Sequence, residues 1–290
     1  MEKPAYASAP AIPGTSAASG TGTCSSTSRP IEESLARVIA QRWVNDEYCH
    51  LVVEPTARAL EVQPGQFFNL LCPSPDEGEL WLRRPQSIYR IDKPNGRLEF
   101  LYKVVGRGTR GLSTLKAGQD LNMVGPLGVG FKVDPAWKHV VVLGRGVGLA
   151  TLGPISQMAR ANGIGVTAIL SARTPDLAMG ADLFSQAGEV IKVVDADGSS
   201  SVDNVRSILE RLIAAGRADA FFTCGSNRLL AVMKDLGARH GIPGQAAMEQ
   251  VMACGLGPCY ICVRTFNVNG RQELKRVCVE GPVFDLQECL

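Results

Sequence analysis

Apolar positions between residues 35 and 133 come in short runs cut by Gly, Pro and Asp. Residues 37–43, 48–54, 67–72, 87–92, 98–105 and 121–125 read as strands, and Pro64-Gly65 and Pro94-Asn95-Gly96 supply turns. Strands of this length and spacing predict a small closed or Greek-key β-barrel rather than βαβ units. The texture changes at His139. Residues 139–143, 165–171, 190–195 and 218–224 are apolar and strand-like, and they alternate with helical patterns that run to Asn162 and over 202–215 and 227–240. Strands alternating with helices predict a parallel sheet covered on both faces. After 244 comes a cysteine-rich loop and one returning strand over 272–279.

The first 33 residues, rich in Ser, Ala, Gly, Thr and Pro, carry no period and read as a disordered tail. Cys24 within it has no evident role. The expected organisation is therefore a tail over 1–33, a barrel over 34–134, an α/β domain over 135–243 and a cysteine segment over 244–290.

Composition narrows the function classes. With 290 residues and 45% hydrophobic content there is enough chain for two cores. A net charge of +2 without a basic stripe argues against nucleic-acid binding. No apolar run approaches the ~20 residues that span a bilayer, and the N-terminus has no apolar segment of the export-signal kind. The nine cysteines thus read as ligands or inert thiols in a reducing cytoplasm, not as a disulfide framework.

Cys254, Cys259 and Cys262 are spaced C-x4-C-x2-C, and Cys278 follows 16 residues later. This is the compact spacing with which a plant-type ferredoxin loop holds a [2Fe–2S] cluster. Gly255 and Gly257 give such a loop the unhindered backbone it needs to turn its amides toward sulfur. The competing readings are structural zinc, which favours paired C-x2-C knuckles where this chain has only Cys259/Cys262, and disulfides or buried inert thiols. A second constellation is Gly144-Arg145-Gly146-Val147-Gly148, a glycine-rich strand-to-helix turn suited to a pyrophosphate. It departs from G-x-G-x-x-G, and a plain sharp turn is its alternative. Cys224-Gly225 closes the fourth parallel strand, where ligands of open α/β sheets lie; a small buried thiol is the alternative. In the barrel, Arg83 and Arg84 lead into Pro85-Gln86-Ser87, and Leu101-Tyr102-Lys103 precedes the Gly106-Arg107-Gly108-Thr109 turn. Arg173 reads as a neighbour of a 2′-phosphate or as solvated surface, and Glu249 as a surface or capping acid.

Taken in order, residues 82–88, 101–106 with Gly108-Thr109, 125–130, 144–148, Cys224-Gly225 and 252–257 resemble the ferredoxin–NADP reductase superfamily. The match is closer to the electron-transfer subunits of two-component (type B) dihydroorotate dehydrogenases. The resemblance runs from about residue 35 to 281. It implies a ferredoxin reductase-like fold, in which a β-barrel flavin domain precedes an α/β parallel-sheet nucleotide domain and a small C-terminal [2Fe–2S] subdomain. It further implies FAD contacts from Arg84, Pro85, Gln86, Ser87, Leu101, Tyr102, Lys103, Gly108 and Thr109. Gly144, Gly146 and Gly148 would cradle NAD, with NADP not excluded, and Cys224 would approach the nicotinamide as the catalytic residue. Cys254, Cys259, Cys262 and Cys278 would bind the cluster. The implied function is an iron–sulfur flavoprotein relay in pyrimidine biosynthesis, a cytoplasmic oxidoreductase working in a hetero-oligomer with an FMN-containing catalytic subunit. Two alternatives stay open: an NAD(P)H-dependent reductase serving another partner such as an oxygenase, and a zinc-binding interaction protein on a redox-inactive scaffold. Arg145, where a glycine is usual, leaves the cofactor preference undecided.

Overall fold

The computed structural model describes residues 31–290; the predicted tail through Pro30, with Cys24, lies outside the described residues. The first half forms a seven-stranded antiparallel sheet from β1 (Glu32–Trp43), β2 (Tyr48–Glu54), β3 (Phe67–Leu70), β4 (Arg84–Ser87), β5 (Arg90–Asp92), β6 (Arg97–Lys103) and β7 (Asp120–Leu127). The strand order is β4-β3-β7-β1-β2-β6-β5. The edge strands β4 and β5 are consecutive in the chain, joined only through Ile88 and Tyr89, so the sheet must curl until its two edges nearly meet. Period-2 alternation supplies the inner face: Ala36, Val38, Leu51, Val53, Phe68, Leu70, Leu98, Phe100 and Met123 share one buried cluster. Phe68 and Phe100 meet edge to face, their ring centroids 6.3 Å apart.

The sequence expectations need local corrections. β1 begins at Glu32, paired with Gly125, inside the segment expected to be tail. A main-chain ladder needs no apolar side chains, and Glu33 is held from outside by Arg83 at 2.6 Å and by Asn122 at 2.8 Å. The strand expected over 87–92 is two strands, because the chain crosses between sheet edges at Ile88-Tyr89. The Gly106–Thr109 turn opens a short helix, α1 (Arg107–Leu112). There the Thr109 hydroxyl accepts from the amides of Val105 (2.9 Å) and Gly106 (3.2 Å).

The second sheet runs β10 (Glu189–Val194), β9 (Gly165–Ala172), β8 (His139–Arg145), β11 (Ala220–Cys224), β12 (Gly244–Ala247), all parallel, with β15 (Val283–Asp285) antiparallel at the end. Four helices cover it: α2 (Gly148–Ala161), α3 (Ala181–Ala187), α4 (Val202–Ala214) and α5 (Asn227–His240). Along β8 the apolar residues alternate between faces. Val140 and Val142 pack with Leu149, Leu152 and Phe184 of α2 and α3, whereas Val141 and Leu143 pack with Val205, Leu209 and Met233 of α4 and α5. A strand buried on both faces has to be continuously apolar, which is the signal read in the sequence. The short α3 is too brief to establish a helical period, and no helix was expected there.

The boundary expected at 243/244 cuts through this sheet, since β12 and β15 both come from the C-terminal segment. Between them lies a hairpin, β13 (Val263–Val268) and β14 (Arg271–Arg276), where one strand was expected. Its two-residue turn is Asn269-Gly270, with φ of 51° and 80°. This is the Asn-Gly signal of a tight hairpin. Among the described residues, no helix is long and apolar enough to cross a membrane. Phe222 of β11 ties the layers together, packing edge to face on Phe131 at 5.5 Å and on Trp137 at 6.0 Å. Phe222→Ala is expected to lower the unfolding free energy by about 3–5 kcal/mol; a loss below about 1 kcal/mol in chemical denaturation would place this ring outside the shared core.

Candidate functional site

The chain leaves the α/β sheet after Ala247 and rejoins it at Val283, and four of its cysteines gather in between. The sulfurs form two couples, Cys254 with Cys259 at 3.1 Å and Cys262 with Cys278 at 3.2 Å. Both separations exceed the ~2.05 Å of a disulfide, and all four are free thiols. Amides face them as the glycine pattern predicts: Leu256 N lies 3.4 Å from Cys254 Sγ and Cys278 N lies 3.4 Å from Cys262 Sγ. The amide of Ile261, aided by the Cys254 thiol, holds the exposed Cys259 thiol down at about 7. Burial, with the Cys262 sulfur adding to it, pushes Cys278 up to about 12. Gly255 (φ 70°) and Gly257 (φ 94°) are left-handed, and a Cβ would come 2.2 Å from Asn69 Nδ2 at the first and 2.8 Å from Val279 Cγ2 at the second. Only glycine permits so tight a loop.

The arrangement tests the metal alternatives. A single tetrahedral zinc needs its ligands converging on one point, whereas these sulfurs stand as two separate couples. Two couples of thiols suit a cluster of two irons. Around the loop lies an exposed apolar rim: Val251 is 75% exposed and Tyr260 62%, with Leu256 and Ile261 beside them. Behind it, Asn69 of β3 is 2% exposed and donates through Nδ2 to the Cys254 carbonyl at 3.0 Å. Its Oδ1 is buried with no partner among the described residues. Cys49 and Cys72 are buried in the barrel core, and Cys289 is buried against Phe266 of the hairpin; burial pushes Cys72 up to about 11 and Cys289 up to about 12.

β8 and β11 are neighbours whose following helices, α2 and α5, cover opposite faces, so their carboxyl ends open a crevice. The two turns touch: a Cβ on Gly148 would lie 2.6 Å from the Cys224 carbonyl carbon, and one on Gly225 would lie 2.2 Å from Arg145 O. Gly144 is accounted for by α2, since Leu149 and Leu152 occupy the space of its Cβ at 2.8 and 2.9 Å. Gly146, with φ 57°, lines the crevice itself. Two cavities of about 240 Å³ each open here, one lined by Cys224, Asn227, Met248 and Arg264, the other by Tyr48, Lys103, Gly146 and Arg173. Glu249, expected to be a surface or capping acid, lines both of them. It is open to the crevice but enclosed by protein on most sides, and burial pushes its carboxyl above the usual range. Its placement just past a parallel strand end is the signal that could have found it. Burial, with Glu249 adding to it, pushes Cys224 up to about 12.

The crevice arginines are already engaged. Arg145 reaches both carboxylate oxygens of Asp195 at 2.6 and 3.2 Å and donates to Ser171 Oγ at 2.9 Å, holding the Asp195 carboxyl below its usual range. Arg173 pairs with Glu47, which also holds Lys103 at 2.7 Å.

On the barrel, Arg84 lies across the first turn of α1, where a Cβ on Gly108 would meet its Nε at 2.4 Å. Arg84 donates only to the Leu82 and Arg83 carbonyls, and among the described residues it has no acid partner, as suits an anion site. Gln86 and Ser87 sit half-buried on the edge strand with no side-chain partner among the described residues, and Pro85 between them and Arg84 is likewise half-buried. Tyr102 is placed differently from the expectation: its ring is in the barrel core and its hydroxyl is held by Gln41. Thr109 spends its hydroxyl on capping α1. Leu101 faces away from that core, toward the α/β layer.

Residues 249–290 match the family model described as the iron-sulfur cluster binding domain of dihydroorotate dehydrogenase B. The chain is 31% identical over 264 residues to the "Dihydroorotate dehydrogenase B (NAD(+)), electron transfer subunit" of Enterococcus faecalis, covering 89% of this chain and 98% of the relative. It is 32% identical over 257 residues to the protein of the same name from Lysinibacillus sphaericus, covering 88% and 97%. Among solved structures, an NADH-dependent reduced ferredoxin-NADP oxidoreductase superimposes with a TM-score of 0.72 at 27% identity, covering 87% of this chain and 88% of that one. A ferredoxin reductase of carbazole 1,9a-dioxygenase (TM-score 0.59, 21% identity, 74% and 67% covered) shares the fold. The chain belongs to the family of dihydroorotate dehydrogenase B electron transfer subunits.

Proposed function

We propose that this chain relays electrons between NAD(H) in the β8/β11 crevice, FAD on the barrel and a [2Fe–2S] cluster on Cys254, Cys259, Cys262 and Cys278, to or from a partner flavoenzyme of the dihydroorotate dehydrogenase type. The observation that carries this reading is the pair of thiol couples, one interior and one at the surface beside an exposed apolar rim. When bound, FAD exchanges a hydride with the nicotinamide and single electrons with the cluster. The chain's own residues position and insulate. Arg84, with no acid to neutralise it among the described residues, is suited to the flavin pyrophosphate, and Gln86 and Ser87, likewise unpartnered among them, offer polar groups at the edge strand for the ring. Cys224, a thiol at neutral pH because burial pushes it up to about 12, offers the nicotinamide a neutral surface rather than a nucleophile. The rim of Val251, Leu256, Tyr260 and Ile261 suits a partner subunit, an FMN-containing dehydrogenase, docking over the cluster in a hetero-oligomer.

NAD is the nucleotide favoured. Arg145 is spent on Asp195 and Arg173 on Glu47, so neither presents a bare cation to a 2′-phosphate. Steady-state assays are expected to give NADH a kcat/KM above that of NADPH, and Glu47→Gln, which frees Arg173, to narrow the gap by about tenfold, the worth of one charge-assisted contact. A wild-type preference for NADPH contradicts the assignment.

Anaerobically purified protein is expected to contain flavin, iron and sulfide, with both chromophores bleached by NADH; a colourless, zinc-containing protein contradicts the reading. Cys259→Ser removes electron delivery to the partner and spares bleaching of the flavin, whereas Cys49→Ser and Cys289→Ser keep iron. Once the iron is stripped, iodoacetamide is expected to label Cys259 first, at a rate rising with pH through about 7 as its thiolate forms, while Cys224 and Cys278, pushed up to about 12, stay protected. Peptide mapping after a timed quench reads the order.

A further inference from the structure

Asn69 stands where the barrel meets the cysteine loop. Its neighbours on β3, Phe68 and Leu70, point into the barrel core, so Asn69 points out of it. Its main chain pairs with Pro85 on β4, in the middle of the Arg84–Ser87 strand. Its side chain reaches the other way, Nδ2 donating to the carbonyl of Cys254 at 3.0 Å. The amide cannot be turned over, because Oδ1 would then face that carbonyl. Gly255 is shaped to this contact: its Cβ would lie 2.2 Å from Nδ2. At 2% exposure, and with Oδ1 buried and unpartnered among the described residues, Asn69 is a buried polar group whose side chain is committed to one specific contact.

We infer that Asn69 is a positioning residue that fixes the Cys254 end of the metal loop against the strand proposed to carry the flavin. The inference rests on the cofactor assignment above. It makes one side chain the spacer between the two redox groups: β3 is rigid, held by the ladder on both sides, and its amide sets where the Cys254 backbone lies. Groups that orient metal ligands from behind are typically worth about 10–100-fold in metal affinity or activity.

The test uses the full chain purified anaerobically. For Asn69→Leu, iron release to a chelator is expected to quicken by about tenfold, the electron paramagnetic resonance signal of the reduced cluster to change shape, and cluster reduction by NADH to slow. Flavin content and the first bleaching of the flavin should stay at wild-type values. Native chelator resistance together with a native resonance signal in Asn69→Leu overturns the role. Gly255→Ala provides the second arm. It forces a methyl onto Nδ2, so it should destabilise the cluster more in the wild-type background than in Asn69→Ala, where the space is vacated; equal losses in the two backgrounds also overturn the role. Wild-type protein that holds no iron overturns the cofactor assignment itself, and is told apart by metal analysis before any variant is compared.

Discussion

The architecture depends on the pairing of β12 with β15, Gln245 opposite Asp285 and Ala247 opposite Val283. Antiparallel pairing at the edge of an otherwise parallel sheet pins both ends of the cysteine segment to the layer that forms the crevice. The loop and hairpin between those ends then have to fold back over β3 of the barrel and α5 of the α/β layer. The core records this: Cys262, Cys278, Phe266 and Phe284 share one buried cluster with Phe67 and Leu127 of the barrel and with Met233 and Leu236 of α5. One thiol couple is thus part of the hydrophobic interior, while the other, Cys254 and Cys259, lies at the surface beside the apolar rim. The segment has an inner and an outer end because its anchors are fixed.

Much of this was legible in the sequence because it is written in local patterns. Short apolar runs cut by turn residues gave the barrel strands, continuous apolar runs gave the doubly covered strands, and the C-x4-C-x2-C spacing followed by Cys278 singled out the four thiols that the structure couples. What escaped is non-local. Glu249 lies in a loop with no periodicity, and only the neighbouring strand ends turn it into a crevice residue beside Cys224. Asn69 reads as one polar residue in an apolar strand, and its meaning lies in Cys254, 185 positions away. Tyr102, which the resemblance implies as a flavin contact, has its ring in the barrel core: on a strand, alternate side chains face opposite ways, so those of Leu101 and Tyr102 face different layers.

The electrostatics divide along the same lines. Ion pairs crowd the mouth of the crevice: Arg145 with Asp195, and Arg173 and Lys103 with Glu47. Two acidic groups along the crevice are held toward their neutral forms. Burial pushes the Cys224 thiol up to about 12 and the Glu249 carboxyl upward as well, so the low dielectric favours the neutral form of both groups that face the two cavities. Exposed pairs contribute little stability, on the order of 0–1 kcal/mol each, so those at the mouth are better understood as occupying cations that would otherwise attract stray anions. The demand on the polypeptide is then geometric rather than chemical: to hold crevice, edge strand and thiol loop at fixed separations. Asn69, tied to Pro85 through the ladder and to Cys254 through its amide, is the residue in which that demand is written most directly.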